Sequence, residues 1–180
     1  FDVYEGHSWA SGNGMNPWGN NQESSSEAIN AWAGLILWAE VTGNTALRDL
    51  GIYLYTAETE AISHYWFDIH RLVFAPEYRS AEVSMVFGGK YAHNTWWIDE
   101  PRQIKGINLL PITTASAYLA RDPAKLAQTL SRLARVLPSK LAALVADVAE
   151  KFATGLGIVR RPSRLAVALL LSLPLWLCIS

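Results

Sequence analysis

The apolar positions divide the chain into stretches of different character. Residues 1–22 hold no period; Gly, Asn, Ser and Pro punctuate them, and the segment reads as a loop. From about 23 to 41 the pattern turns helical, with Ile29, Trp32, Ala33 and Ile36 at three- and four-residue spacing. Gly43-Asn44 ends this helix, because glycine takes the left-handed closing position without steric cost. Thr45 is the expected cap of a second helix to about Tyr65, with Leu50, Leu54 and Ala61 on its inner side. Residues 67–106 lose the period, and short strands are expected near 83–87 and 91–97. An irregular stretch this long is unusual unless it is functional. "NLLPITTASAYLA", from Asn108, starts another helix after Pro111. "RDPAKLAQTLSRLARVL" predicts an amphipathic helix with Asp122 as N-cap and Pro123 in its first turn, and a further helix spans 139–154, closing at Gly155 and Gly157. Helix after helix predicts an all-α chain with long irregular loops and short strands.

Charge and aromatic content change this picture by splitting the chain in two. Residues 1–118 hold 13 Asp/Glu against 6 Lys/Arg, whereas residues 119–180 hold 3 acids against 9 bases, so the overall net charge of −1 conceals the contrast. Of eight Trp only Trp176, and of five Phe only Phe152, lies in the second part. An acidic, Trp- and Tyr-rich segment disfavours nucleic acid, whose phosphates attract Lys and Arg. It favours a neutral, sugar-like partner, with flat rings on apolar sugar faces and acids on the hydroxyls; buried Trp is otherwise plain core. Cys178 is the single cysteine, which excludes an internal disulfide and a cysteine zinc site. Residues 165–180 carry no charge, but a spanning helix needs about 20 apolar residues, and Pro174 interrupts this stretch. A basic flank before an apolar end is read either as membrane association or, the reading favoured here, as a core helix or shifted-frame tail. The first residue is Phe1 rather than Met, so the sequence is read as a fragment.

The candidate chemistry centres on "NNQESSSEAINAW", residues 21–33. On one helix, Glu23 and Glu27 share a face about 5–6 Å apart, where two like charges resist joint ionisation and suit acid/base work. The competing reading is a capping box, Ser24-x-x-Glu27, in which Glu27 does no chemistry. Taken alone, the stretch leans towards the cap. Glycoside hydrolysis also needs carboxyls on both sides of the scissile bond, roughly 5–5.5 Å apart for retention and 6.5–9.5 Å for inversion. Neighbours on one helix face share a side, so they suit the base role and leave the acid to another residue. Asp2, Tyr4, Glu5, His7 and Trp9 share one glycine-bearing loop, and His93, Trp96, Trp97, Asp99, Glu100 and Arg102 share another segment. The adjacent tryptophans cannot both enter one core. For each histidine alone, an ordinary hydrogen-bonded imidazole is the better reading. There is no His-Glu-x-x-His zinc helix, no phosphate-cradling glycine loop with lysine and no Gly-x-Ser-x-Gly elbow, and no metal or cofactor is implied.

Together "DVYEGHSWASG", "GNNQESSSEAINAWAGLILW", "VFGGKYAHNTWWIDEPRQIKGINLLPIT" and "YLARDP" resemble glycoside hydrolase family 81 over residues 1 to about 123. The resemblance implies an inverting endo-β-1,3-glucanase acting on laminarin, curdlan or cell-wall glucan, outside the cell or in a wall. It implies that residues 1–123 are part of an (α/α)6-barrel catalytic domain; it says nothing of 124–180, which composition alone reads as an atypical, Ala/Leu/Arg-rich helical tail of non-native character. It assigns Glu23 as the base and Glu27 as its support. It puts Tyr4, Glu5, His7, Trp9, Trp97, Asp99 and Glu100 along the glucan cleft. The family's proton donor is an aspartate in an upstream Asp-His-rich motif that this sequence does not contain, and Asp2 lies too close to the base motif to match it. The expectation is therefore a chain with the base side of the site and little or no turnover alone. The rivals are a catalytically silent β-glucan-binding module and a membrane-tethered helical protein.

Overall fold

The computed structural model describes residues 1–10, 19–90, 98–122, 124–125 and 128–129. Two antiparallel helices dominate, α1 (Ser25–Thr42) and α2 (Thr45–Ala61), and they make the most extensive contact between elements. Ser24 caps α1 by accepting from the Glu27 N–H at 3.3 Å, and Gly43 closes it at φ 68°, in the left-handed region that glycine enters freely. Asn44, not Thr45, caps α2: its side-chain oxygen accepts from the Leu47 N–H at 3.0 Å, and Thr45 becomes the first helical residue.

The inner face of α2 differs from expectation in one position. Leu54 and Ala61 are buried as predicted, but Leu50 is 48% exposed. The reason is Gly51, which lies against Ile36 of α1 so closely that an added Cβ would sit 2.8 Å from Ile36 Cγ1. The buried stripe of α2 therefore includes Gly51, Leu54, Glu58 and Ala61, with Gly51 and Glu58 meeting Ile36 and Trp32 of α1. The helix continues past Ala61 as one π turn, Ile62–Trp66, near the extent that periodicity suggests but with wider winding. That turn buries Ile62 and Trp66 completely.

Residues 67–85 are irregular, as expected, and Asp68 organises their start. Its carboxylate accepts from the N–H groups of Leu72, Val73 and Phe74 at 2.7, 3.1 and 3.0 Å. Burial works to raise Asp68, but these three donors hold it below the usual carboxylate range. Two short strands pair antiparallel, β1 (Asn21–Gln22) with β2 (Val86–Phe87). The expected strand near 91–97 lies outside the described residues.

Helix α3 (Pro101–Leu109) corrects the expectation of an irregular stretch to 106. Glu100 caps it and Pro101 takes the first turn, where a missing N–H costs nothing. After Pro111 comes a 3-10 helix (Thr114–Arg121), closed at its start by a capping box between Thr113 and Ser116. Asp122 accepts from the Lys125 N–H at 2.9 Å, in keeping with its predicted capping role; of the predicted helix beyond it only 124–125 and 128–129 are described, as helical, and the 139–154 helix and the apolar end lie outside the described residues. The core joins Ile29, Ile62, Trp66, Val83, Leu109 and Tyr118, drawn from α1, the π turn, the irregular segment, α3 and the 3-10 helix. Among the described residues the fold is all-α with one two-residue strand pair.

Candidate active site

The stretch between the two glutamates is built by three serines. Ser24 Oγ donates to the Ile107 carbonyl at 3.0 Å, and Ser25 Oγ donates to Asn108 Oδ1 at 2.8 Å. Ser26 Oγ donates to the Ile107 carbonyl at 2.9 Å and also meets the Leu110 carbonyl. Asn108, wholly buried, donates in turn to the Val83 carbonyl at 2.6 Å. These bonds fasten the start of α1 to the carbonyl end of α3, whose orphan acceptors need donors.

This arrangement corrects the shared-face picture. Glu23 precedes the N-cap and is not helical, whereas Glu27 stands in the first turn of α1. Glu23 is half-buried and Glu27 exposed. Among the described residues neither carboxylate has a hydrogen-bond or ion-pair partner. Ser24 does cap the helix, so the cap and two unpaired carboxylates coexist in one motif.

The first loop lies alongside. Asp2 and His7 form an antiparallel bridge, and Asp2 Oδ1 accepts from the Tyr4 and Glu5 N–H groups at 2.9 and 3.2 Å. Asp2 Oδ2 accepts from Trp9 Nε1 at 3.1 Å, and these bonds, Trp9 first, lower the Asp2 carboxyl. The turn leaves Tyr4 94% exposed and Trp9 half-buried. Ala10 N–H donates to the Asn21 carbonyl at 2.8 Å, which ties the loop to β1, two residues from Glu23.

His7 is completely buried, packed edge-on against Trp9, Tyr65 and Trp66. Its Nδ1–H donates to the Ser8 carbonyl at 2.7 Å, which fixes the tautomer, since a carbonyl only accepts. Nε2 therefore accepts from Lys90 Nζ at 2.8 Å. Burial, with the Lys90 charge after it, pushes His7 down to about 4. Both ring nitrogens of His7 are thus engaged inside the protein. Glu5, half-buried, pairs with Lys90 Nζ at 2.9 Å.

Asp99 is exposed. Glu100 is taken up locally: it caps α3 through the Arg102 N–H at 3.0 Å and receives the Arg102 guanidinium at 2.7 Å on each oxygen. The guanidinium bonds lower Glu100 to about 2. Trp97, with His93 and Trp96, lies outside the described residues.

The sequence reading missed Glu58, Lys90, Gln22 and Tyr65. Glu58 is fully buried and accepts from Ser8 Oγ at 2.7 Å, Trp32 Nε1 at 2.6 Å and Gln22 Nε2 at 3.5 Å, joining the first loop, α1, β1 and α2. A signal was present, because Glu58 falls four residues after Leu54 on the buried stripe of α2. Lys90 follows Gly88-Gly89, a turn signal, but nothing local predicts where its ammonium goes. Among the described residues no group of three or more His, Cys, Asp or Glu is arranged to hold a metal ion, and no helix is long and apolar enough to cross a membrane.

The profile of the "Glycosyl hydrolase family 81 C-terminal domain" matches residues 1–133. A glucan endo-1,3-beta-D-glucosidase of Acetivibrio thermocellus is 56% identical over 135 residues, 75% of this chain and 18% of the relative. One from Thermobifida fusca is 43% identical over 123 residues, 68% of this chain and 16% of the relative. The primary septum glucan endo-1,3-beta-D-glucosidase of Schizosaccharomyces pombe is 31% identical over 140 residues, 76% of this chain and 14% of the relative. Among solved structures, glycoside hydrolase family 81 from Clostridium thermocellum (CtLam81A) matches with a TM-score of 0.70 at 56% identity, covering 75% of this chain and 19% of that one. The chain thus spans less than a fifth of the length of the curated relatives it matches.

Proposed function

The chain belongs to glycosyl hydrolase family 81, and on that premise we propose that it carries the base side of an inverting endo-β-1,3-glucanase site. Glu23 activates the attacking water and Glu27 supports it, on internal β-1,3-glucosidic bonds of laminarin, curdlan or cell-wall glucan. One observation carries this reading. Among the described residues Glu23 and Glu27 are the acids of the motif left unpaired, while the serines between them are spent on holding the segment in place. A general base needs a carboxylate free to meet water and a backbone that does not move.

The geometry supports a division of labour. An inverting site sets the base and the acid on opposite faces of the sugar, with room for water at the base. The acid of such a site stands across the sugar from the base, so in this reading a residue other than Glu23 and Glu27 donates the proton. Tyr4 and Trp9, with Trp97 and Asp99, line the glucan cleft; Glu5, His7 and Glu100 shape it through their internal bonds. Residues 1–123 form the catalytic part and 124–180 an atypical tail. The relatives' names, among them a septum glucanase, support action outside the cell or at the wall.

Affinity electrophoresis in laminarin, with reducing ends measured on the same sample, tests the reading. The expected result is retardation, lost in Trp97→Ala, with no release of reducing ends above buffer. Turnover abolished by Glu23→Gln would show that a proton donor is present in the chain after all. Migration unaffected by laminarin would remove the glucan assignment.

A further inference from the structure

We propose that Lys90 is a positioning residue for glucan binding, a buried cation that sets the loop bearing Tyr4, Glu5 and Trp9 against the body of the domain. The inference rests on the glucan reading above. Its basis is the surroundings of one ammonium group. Nζ lies 2.9 Å from Glu5 Oε2 and 2.8 Å from His7 Nε2, and over the rings of Trp9 and Tyr65 at 4.7 and 4.6 Å. Only 15% of the side chain is exposed. An ammonium has three donors; here two meet acceptors on the first loop, and the rest of the charge faces aromatic rings, which attract cations more strongly when desolvated.

The backbone points the same way. Lys90 has φ 62°, inside the left-handed region, where a residue with a Cβ is strained by roughly 1–2 kcal/mol. Its N–H donates to the Phe87 carbonyl at 3.0 Å and closes the turn after β2. Glycine would suit this position better on conformational grounds, and two glycines immediately precede it. A lysine held there against its backbone preference indicates that the side chain is what the site uses. The contacts of that side chain run to Glu5, His7 and Trp9 in the first loop and to Tyr65 in the π turn, so it joins β2 to both.

The substitution that separates backbone from side chain is Lys90→Gly. It relieves the left-handed strain while removing the ammonium, so the variant should fold, as circular dichroism and cooperative thermal unfolding would show. Lys90→Met keeps most of the stem without the charge, and Lys90→Arg keeps a charge. We expect wild type to be retarded by laminarin, Lys90→Gly and Lys90→Met to bind about tenfold or more weakly, and Lys90→Arg to recover part of the loss. The ¹⁵N resonance of His7 Nε2 should move in Lys90→Met, as its hydrogen-bond donor is lost. Folded Lys90→Gly retarded as strongly as wild type would overturn the proposal while leaving the glucan reading intact, as would an unmoved Nε2 resonance. Wild type that laminarin does not retard would take down both.

Discussion

His7 and Glu82 give this domain opposed responses to pH. His7 is wholly buried and neutral, lowered from 6.5 to about 4 by burial and then by Lys90. The unfolded chain therefore binds the extra proton between about 6.5 and 4, and stability falls as pH falls through that window. Glu82 is 4% exposed, its carboxylate oxygens make no hydrogen bond, and Lys105 Nζ lies 3.6 Å away. Burial, only partly offset by Lys105, raises Glu82 from 4.5 to about 7, so the folded state holds the proton longer and stability falls as pH rises through 4.5–7. Each shift corresponds to about 3 kcal/mol at most. In wild type the slopes oppose one another between 4.5 and 6.5. Glu82→Gln removes one of them: its stability relative to wild type should climb by about 1–3 kcal/mol between pH 4.5 and 8. Urea unfolding at several pH values measures this, and parallel curves for the two proteins would refute it.

At the scale of elements, two glycines in the helical pair carry opposite expectations. Gly51→Ala would drive a methyl to 2.8 Å from Ile36 Cγ1 and 3.3 Å from the Ile36 backbone nitrogen. The gain of up to about 1 kcal/mol in helix propensity is outweighed by overpacking of about 1–3 kcal/mol, so Tm should fall. Gly34→Ala meets nothing within 4 Å on the exposed side of α1. There the propensity term of about 0.5–1 kcal/mol stands alone, and Tm should rise. Much of the helical pair was legible beforehand: the α1 period, the Gly43 closure and the stop near Tyr65. Leu50 was misassigned because a period of 3.6 leaves the rotation of a helix undecided by one residue. Close approach at a glycine settles it, and glycine contributes nothing to a hydrophobic pattern. Helix α3 was missed for a related reason: nine residues with two buried positions are too short for a period to show.

At the scale of the whole molecule, Asn108 joins parts that are distant in sequence. It accepts from Ser25 Oγ and donates to the Val83 carbonyl, so the start of α1, α3 and the strand-bearing loop share one buried amide. Asn108→Ala would strand both partners without water and should cost about 2–4 kcal/mol. Ser25→Ala should cost less, and the double variant should fall short of the sum by at least about 0.5 kcal/mol. Chemical denaturation of the four proteins closes that cycle; strict additivity would deny the coupling. Because α3 is capped by Glu100, beside Asp99, this bond also connects the proposed base to the second predicted substrate segment. The outer face of α1 keeps Leu37, Trp38 and Val41 exposed at 67%, 63% and 84%.

The sequence by itself determined an all-α chain, the place of its main helix ends and a specific resemblance carried by several motifs in order. These are local properties, set by spacing, capping and chain order. Only the tertiary structure decided where the members of those motifs stand and what they bond. Glu23 and Glu27 do not share a helix face, because the cap falls at Ser24 and leaves Glu23 outside it. The three serines face the end of α3 more than 80 residues away, His7 turns inward, and Glu100 is absorbed by Arg102. Lys90 became visible only through its neighbours. An ammonium's role depends on which acceptors and rings surround it, and these come from residues 5, 7, 9 and 65, which no periodicity relates.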